Sequence, residues 1–170
     1  MVPLNLRLLR AAMLAFAVAV APTAVTAAAV DQQSSPSPVG RWLTGPDGGV
    51  IEINRCGGAA LCGRIVGITL DHPGDPEPTD VHGQPQCGLT ILTDAEQSGP
   101  NEWSGHITDP RDGRTYHARL TLDESGQLHM RGYVGLPLFG QTVTWRPFQG
   151  RIADRCLVVE RSTNDRRAGN

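Results

Sequence analysis

The chain has 170 residues, 17 acidic and 15 basic, no lysine among the latter, and a formal net charge of −2. A mildly acidic balance argues against general nucleic-acid binding, and the absence of lysine excludes Schiff-base chemistry. Twenty glycines and 13 prolines predict many turns and few helices.

Residues 1–29 read as a secretory signal peptide. Arg7 and Arg10 form a short positive region, Ala11–Ala21 is apolar throughout, and Val25-Thr26-Ala27 and Ala27-Ala28-Ala29 satisfy the small-x-small cleavage rule. The apolar run falls short of the about 20 residues that span a bilayer, and no later segment comes close, so no transmembrane segment is expected. Cleavage after Ala29 leaves 141 residues, and loss of the two arginines shifts the charge from −2 to −4. That length suits one domain with one core. The expected location is periplasmic or secreted.

Residues 30–38 have linker composition, with DQQSSPSP at Asp31–Pro38, and 161–170 is expected to be a disordered tail. Between them, 39–160 shows short alternating runs broken by Gly, Pro, Asn and Asp, the pattern of an all-β domain. Strands are expected at Val39–Thr44, Val50–Arg55, Leu61–Ile68, Gly88–Thr93, Glu102–Asp109, Thr115–Leu122, Gln127–Val134 and Gln141–Phe148, with a weaker one at Cys156–Glu160. About eight antiparallel strands with tight turns close most simply into an up-and-down β-barrel, which removes exposed edges. Such a barrel is just wide enough to be filled by side chains or to hold one small ligand.

All four cysteines, Cys56, Cys62, Cys87 and Cys156, follow the signal segment, and an even count in an exported chain favours disulfides. Three pairings are possible. The spacing suggests Cys56–Cys62 across a hairpin, leaving Cys87–Cys156; a zinc site built from the four sulfurs is the runner-up, with spacings that match no common zinc pattern. If Cys56 faces Cys62, then Ile53 faces Ile65 on the inside and Asn54 faces Arg64 on the outside.

The loop before Cys87 carries His72, Asp75, Asp80 and His82, a set that could ligate Zn²⁺ or Cu²⁺. Its four prolines and its spacing fit a solvated loop better, so no metal is assigned. Asp109-Pro110-Arg111-Asp112-Gly113 invites an acid–base role but has the make-up of a turn. Ser104 has no nucleophile motif around it. No catalytic residue and no cofactor are assigned.

Tyr116, Ala118, Leu120 and Leu122 alternate with Thr115, His117, Arg119 and Thr121. Leu128, Met130, Gly132 and Val134 alternate with His129, Arg131 and Tyr133. The two runs form a hairpin with one dry and one wet face, and one allowed register sets Tyr116 opposite Gly132. His117, Arg119, His129 and Arg131, with His106 nearby, make either a pH-sensitive anion patch or an ordinary wet face; the wet face is the reading adopted. Next comes Leu136-Pro137-Leu138-Phe139, apolar where a hairpin tip should be polar, between Gly135 and Gly140. Such a tip is expected to fold inward and plug a barrel end; otherwise it forms the lip of a pocket or docks a partner.

Val39-Gly40-Arg41-Trp42, CGGAALCGRIVGI at Cys56–Ile68, QCGLTIL at Gln86–Leu92, WSGHITDPRDGRTYHARL at Trp103–Leu120 and RGYVGLPLFGQTVTW at Arg131–Trp145 are the blocks that carry a family likeness. Together they resemble the exported bacterial uncharacterised-domain family 2147, over roughly Val39–Phe148. The resemblance implies a lipocalin-like barrel and carries no catalytic set with it. It also implies that Trp42, in Gly40-x-Trp42, closes one barrel end, with Arg146 across it.

The function expected is that of a non-enzymatic exported barrel. It would bind a small apolar or amphipathic molecule, or an envelope component, at one end. Trp42, Tyr133, Leu136, Phe139 and Trp145 are the candidate ligand-binding residues. The alternative is a structural or protein-interaction module of the cell envelope with a filled barrel. An envelope hydrolase, the third reading, would need ionisable groups facing the cavity.

Overall fold

The computed structural model describes residues 37–159 other than 46, 47 and 73. The signal peptide expected at 1–29, most of the 30–38 linker and the 161–170 tail lie outside the described residues. Eight antiparallel strands close into an up-and-down barrel: β1 (Gly40–Leu43), β2 (Val50–Gly57), β3 (Ala60–Gly67), β4 (Thr90–Gly99), β5 (Glu102–Thr108), β6 (Thr115–Leu122), β7 (Leu128–Tyr133) and β8 (Gln141–Pro147). β8 returns to β1 through Trp42↔Pro147 and Leu43↔Arg146. A ribbon of β9 (Arg151–Ile152) and β10 (Val158–Val159) follows.

Alternation sets the faces. On β6, Ala118 and Leu120 are buried whereas His117 is exposed, because successive side chains on a strand point to opposite sides. Odd-numbered connections (β1–β2, β3–β4, β5–β6, β7–β8) gather at one end and even-numbered ones at the other. Towards the second end the interior is filled, with Ile53, Leu61, Leu92, Trp103, Leu120 and Leu128 in one cluster. Trp42 joins that cluster, and its Nε1–H donates to the Pro38 carbonyl at 2.7 Å. Arg146 does not lie across it. Arg146 sits opposite Leu43 and is exposed, because inward Trp145 leaves its neighbour facing out.

Both expected disulfides are present. Cys56 joins Cys62 with Cα atoms 5.6 Å apart, and Cys87 joins Cys156 at 5.9 Å. The expected register does not hold. Ile51, not Ile53, faces Ile65, and Cys62 faces Asn54, two residues from the expected pairing, with a bulge between Arg55 and Gly57 supplying one residue of that displacement. A shift of two preserves the faces, so Ile53 and Ile65 remain buried and the disulfide stays outside. The β6–β7 hairpin is also displaced by two, along a continuous ladder. Gly132 faces Ala118 rather than Tyr116, which now lies on the diagonal.

The Cys87–Cys156 bridge holds the C-terminal segment against the end of β3. There the Ile68 amide donates to the Cys156 carbonyl at 2.6 Å and the Val158 amide to the Ile68 carbonyl at 2.9 Å.

Candidate binding cup

The interior tapers along the sheet. On β7 the inward series runs Leu128, Met130, Gly132, and on the facing β8 it runs Trp145, Val143, Gln141. Towards the odd-numbered connections the side chains shrink or turn polar. A Cβ added to Gly132 would meet nothing closer than Ile107 Cγ2 at 3.9 Å and Tyr116 Cβ at 4.0 Å. Space therefore remains where the last inward rows should pack.

That space is a cavity of about 810 Å³ with residues of all eight strands or their ends in its wall. Its inner wall is apolar: Ile51, Ile65, Ile91, Ile107, Met130 and Trp145. Around its mouth stand Thr44, Thr69, Gln86, Asp109, Arg111 and Gln141. Trp145 is 2% exposed, and its Nε1–H finds no acceptor among the described residues, a condition that costs about 1–3 kcal/mol for a buried donor.

Local chemistry builds the rim. Asp109 begins the turn anticipated in the sequence. Its carboxylate accepts from Arg111 Nε at 3.0 Å and Nη2 at 2.6 Å and from the Arg111 amide at 2.9 Å, while Gly113 takes φ +73°. The Arg111 hydrogen bond holds the Asp109 carboxyl below its ordinary range, against a smaller opposing push from burial. Across the mouth, the Val81 amide donates to the Pro110 carbonyl at 2.9 Å, fastening the β3–β4 loop to this turn. That loop has its own frame: Asp80 accepts from the amides of His82 and Gln84, leaving it a turn-forming carboxylate. His72 lies 3.4 Å from Asp75. No group of three or more His, Cys, Asp or Glu side chains converges among the described residues.

The apolar tip is not a plug. Leu136, Leu138 and Phe139 are 64, 79 and 77% exposed. The cause is Arg131, whose Nε–H donates to the Pro137 carbonyl at 2.7 Å, Nη2 to the Leu138 carbonyl at 3.2 Å and Nη1 to Thr142 Oγ1 at 2.8 Å. Arg131 faces outward on β7, so the short 3₁₀ turn Pro137–Phe139 that it grips is drawn to the outside. The tip becomes the lip of the cavity, to which Phe139 and Val134 contribute.

Of the five residues expected to bind ligand, Tyr133, Phe139 and Trp145 stand on the cavity wall; Trp42 and Leu136 do not. Tyr133 is a rim residue, its ring stacked on His117 of the outer face at 5.4 Å between centroids. Met130, Gly132, Val143 and Gln141 also line the cavity and were not among the expected ligand-binding residues. Inward parity on β7 and β8 was the signal that could have found them.

Residues 40–146 match the sequence model of a family described as "Uncharacterized protein conserved in bacteria (DUF2147)". A lipocalin-family protein of solved structure, HP1028 from the human pathogen Helicobacter pylori, is similar in fold. The TM-score is 0.56 at 18% identity, over 65% of this chain and 82% of that one. No curated protein matches the chain.

Proposed function

The chain belongs to this bacterial DUF2147 family, and from that premise we propose that it is a non-enzymatic exported barrel that binds a small amphipathic molecule in its cup. One observation carries the reading: a cavity of about 810 Å³, apolar within and polar at the mouth, in a lipocalin-like fold. That volume lies within the range of small-molecule sites, which are concave and mostly apolar with a few polar groups that orient the ligand. An apolar chain would lie against Ile51, Ile107, Met130 and Trp145, and Phe139 would close over it. The polar end would meet Gln141, Thr69 or the Asp109–Arg111 pair. Asp109 and Arg111 satisfy each other, which favours orientation over acid–base work. Two disulfides support an oxidising compartment, periplasmic or secreted.

Native mass spectrometry with lipid extraction tests the proposal on purified protein. A bound apolar or amphipathic species, or saturable uptake of an apolar dye, is expected. Recovery of no ligand together with absence of dye binding overturns it.

The exposed tip favours a second reading, docking of an envelope protein through Leu136, Leu138 and Phe139. Leu138→Ser with Phe139→Ser separates the two. Docking predicts lost partner binding with cup occupancy retained; a ligand lip predicts weakened uptake.

A further inference from the structure

On the outer wall, the β5–β6 register sets His106 opposite His117. Both project outward, because Ile107 and Ala118 take the adjacent inward positions. Their ring centroids are 5.3 Å apart, with the planes tilted by 43°. Two imidazoles on one ion, each with its nitrogen about 2.0–2.1 Å from the metal, place their centroids roughly 5 Å apart. Among the described residues neither ring makes a hydrogen bond. By contrast, the His129 ring is engaged by Asp123 at 2.8 Å and Thr144 at 3.2 Å.

The surroundings suit a cation. Tyr133 stacks on the far side of His117 and limits how that ring turns. Thr93 flanks His106 on β4. The neighbouring row holds Ser104, Arg119 and Arg131; the Arg119 charge is offset by Glu102 at 3.7 Å, and the Arg131 guanidinium is turned to the Pro137 and Leu138 carbonyls. Strand pairing fixes both Cα positions, so two ligands are placed before an ion arrives and little ordering remains to oppose binding.

We propose that His106 and His117 form a two-imidazole site for a divalent transition-metal ion on the outer wall, separate from the cup. Cu²⁺ binds it more tightly than Zn²⁺, following the affinity order of nitrogen ligands. Solvent completes the coordination, so the ion is exchangeable.

Calorimetric titration of the folded, disulfide-bonded protein with Cu²⁺, paired with electron paramagnetic resonance, tests this. The expected result is one site per chain with hyperfine coupling to two imidazole nitrogens. Loss of either of two preplaced ligands weakens binding by roughly 100-fold, so His106→Ala and His117→Ala should each do so. His82→Ala and His129→Ala should leave it unchanged. Both rings are free of hydrogen bonds on the outer face, so thermal unfolding of the two variants should stay close to that of the parent protein; His106→Gln provides a second, gentler variant. A spectrum without two imidazoles, or binding that survives the His106→Ala/His117→Ala pair, overturns the proposal.

Discussion

Asp123 governs the β6–β7 turn through acceptance alone. Hydrogen bonds from the Ser125 hydroxyl at 2.7 Å, the Gln127 amide at 2.9 Å and the His129 ring at 2.8 Å converge on its carboxylate and hold its pKa far below the ordinary carboxylate value. Glu52, beside Arg41, and Asp109, beside Arg111, are shifted in the same direction. A depressed carboxylate contributes stability that is complete above its unfolded pKa, near 4, and disappears as pH falls through the lower folded value. The urea midpoint should therefore decline from about pH 4 downwards, and Asp123→Ala should remove part of that decline. An unaltered acid profile in the variant would contradict the assignment. Arg131 acts on the tip in a comparable way. Arg131→Met should cost about 1–3 kcal/mol and accelerate amide exchange at Phe139 and Gly140, whose amides close the 3₁₀ turn onto Leu136 and Pro137.

At the scale of elements, strand existence was legible and strand pairing was less so. β6 coincides with its expected bounds because its alternation is unbroken from Thr115 to Leu122. β4 instead runs on to Gly99, past the expected end at Thr93, by way of a bulge at Asp94 with φ +52°. No side-chain pattern announces a bulge, since its cause is the partner strand. Gly105 of β5 leaves room there: a Cβ would stand 2.6 Å from the Thr93 carbonyl oxygen and 2.7 Å from Ala95 Cα. Gly105→Ala should accordingly destabilise the protein by about 1–3 kcal/mol, measured by urea unfolding, whereas no change would mean that β4 yields. The two-residue displacements at β2–β3 and β6–β7 arise because parity constrains faces and leaves the slide along the strand open. The outward position of the tip has a related cause: its apolar sequence argues for burial, and only the partnership with Arg131 turns it outward. The disulfides offer a further element-scale test. Chain entropy assigns about 2.4 kcal/mol to Cys56–Cys62 and about 4.4 to Cys87–Cys156, so the double serine variant of the long-range pair should lose more stability in denaturant.

Across the whole molecule, the barrel divides into a packed half and a hollow half. The packed half holds Trp42, Trp103 and Leu128 at 6% exposure or less, and it keeps the sheet closed where β1 and β8 share only two residue pairs. Leu120→Ala, in that half, should cost about 2–5 kcal/mol. Three tryptophans, two tyrosines and three phenylalanines in 170 residues are few to fill a barrel, but they do not locate the hollow half, because its position depends on which small residues the register brings together. Gly132 is the decisive one. It is inward and adjoins open space, and its φ lies outside the left-handed region, so a leucine fits the backbone. The most direct measurement is titration of an apolar fluorescent dye into the parent protein and into Gly132→Leu, with thermal unfolding of both. A binding cup predicts saturable uptake by the parent and affinity lowered by roughly tenfold or more in the variant, at undiminished melting temperature. Equal uptake by both proteins, or none by the parent, would contradict it.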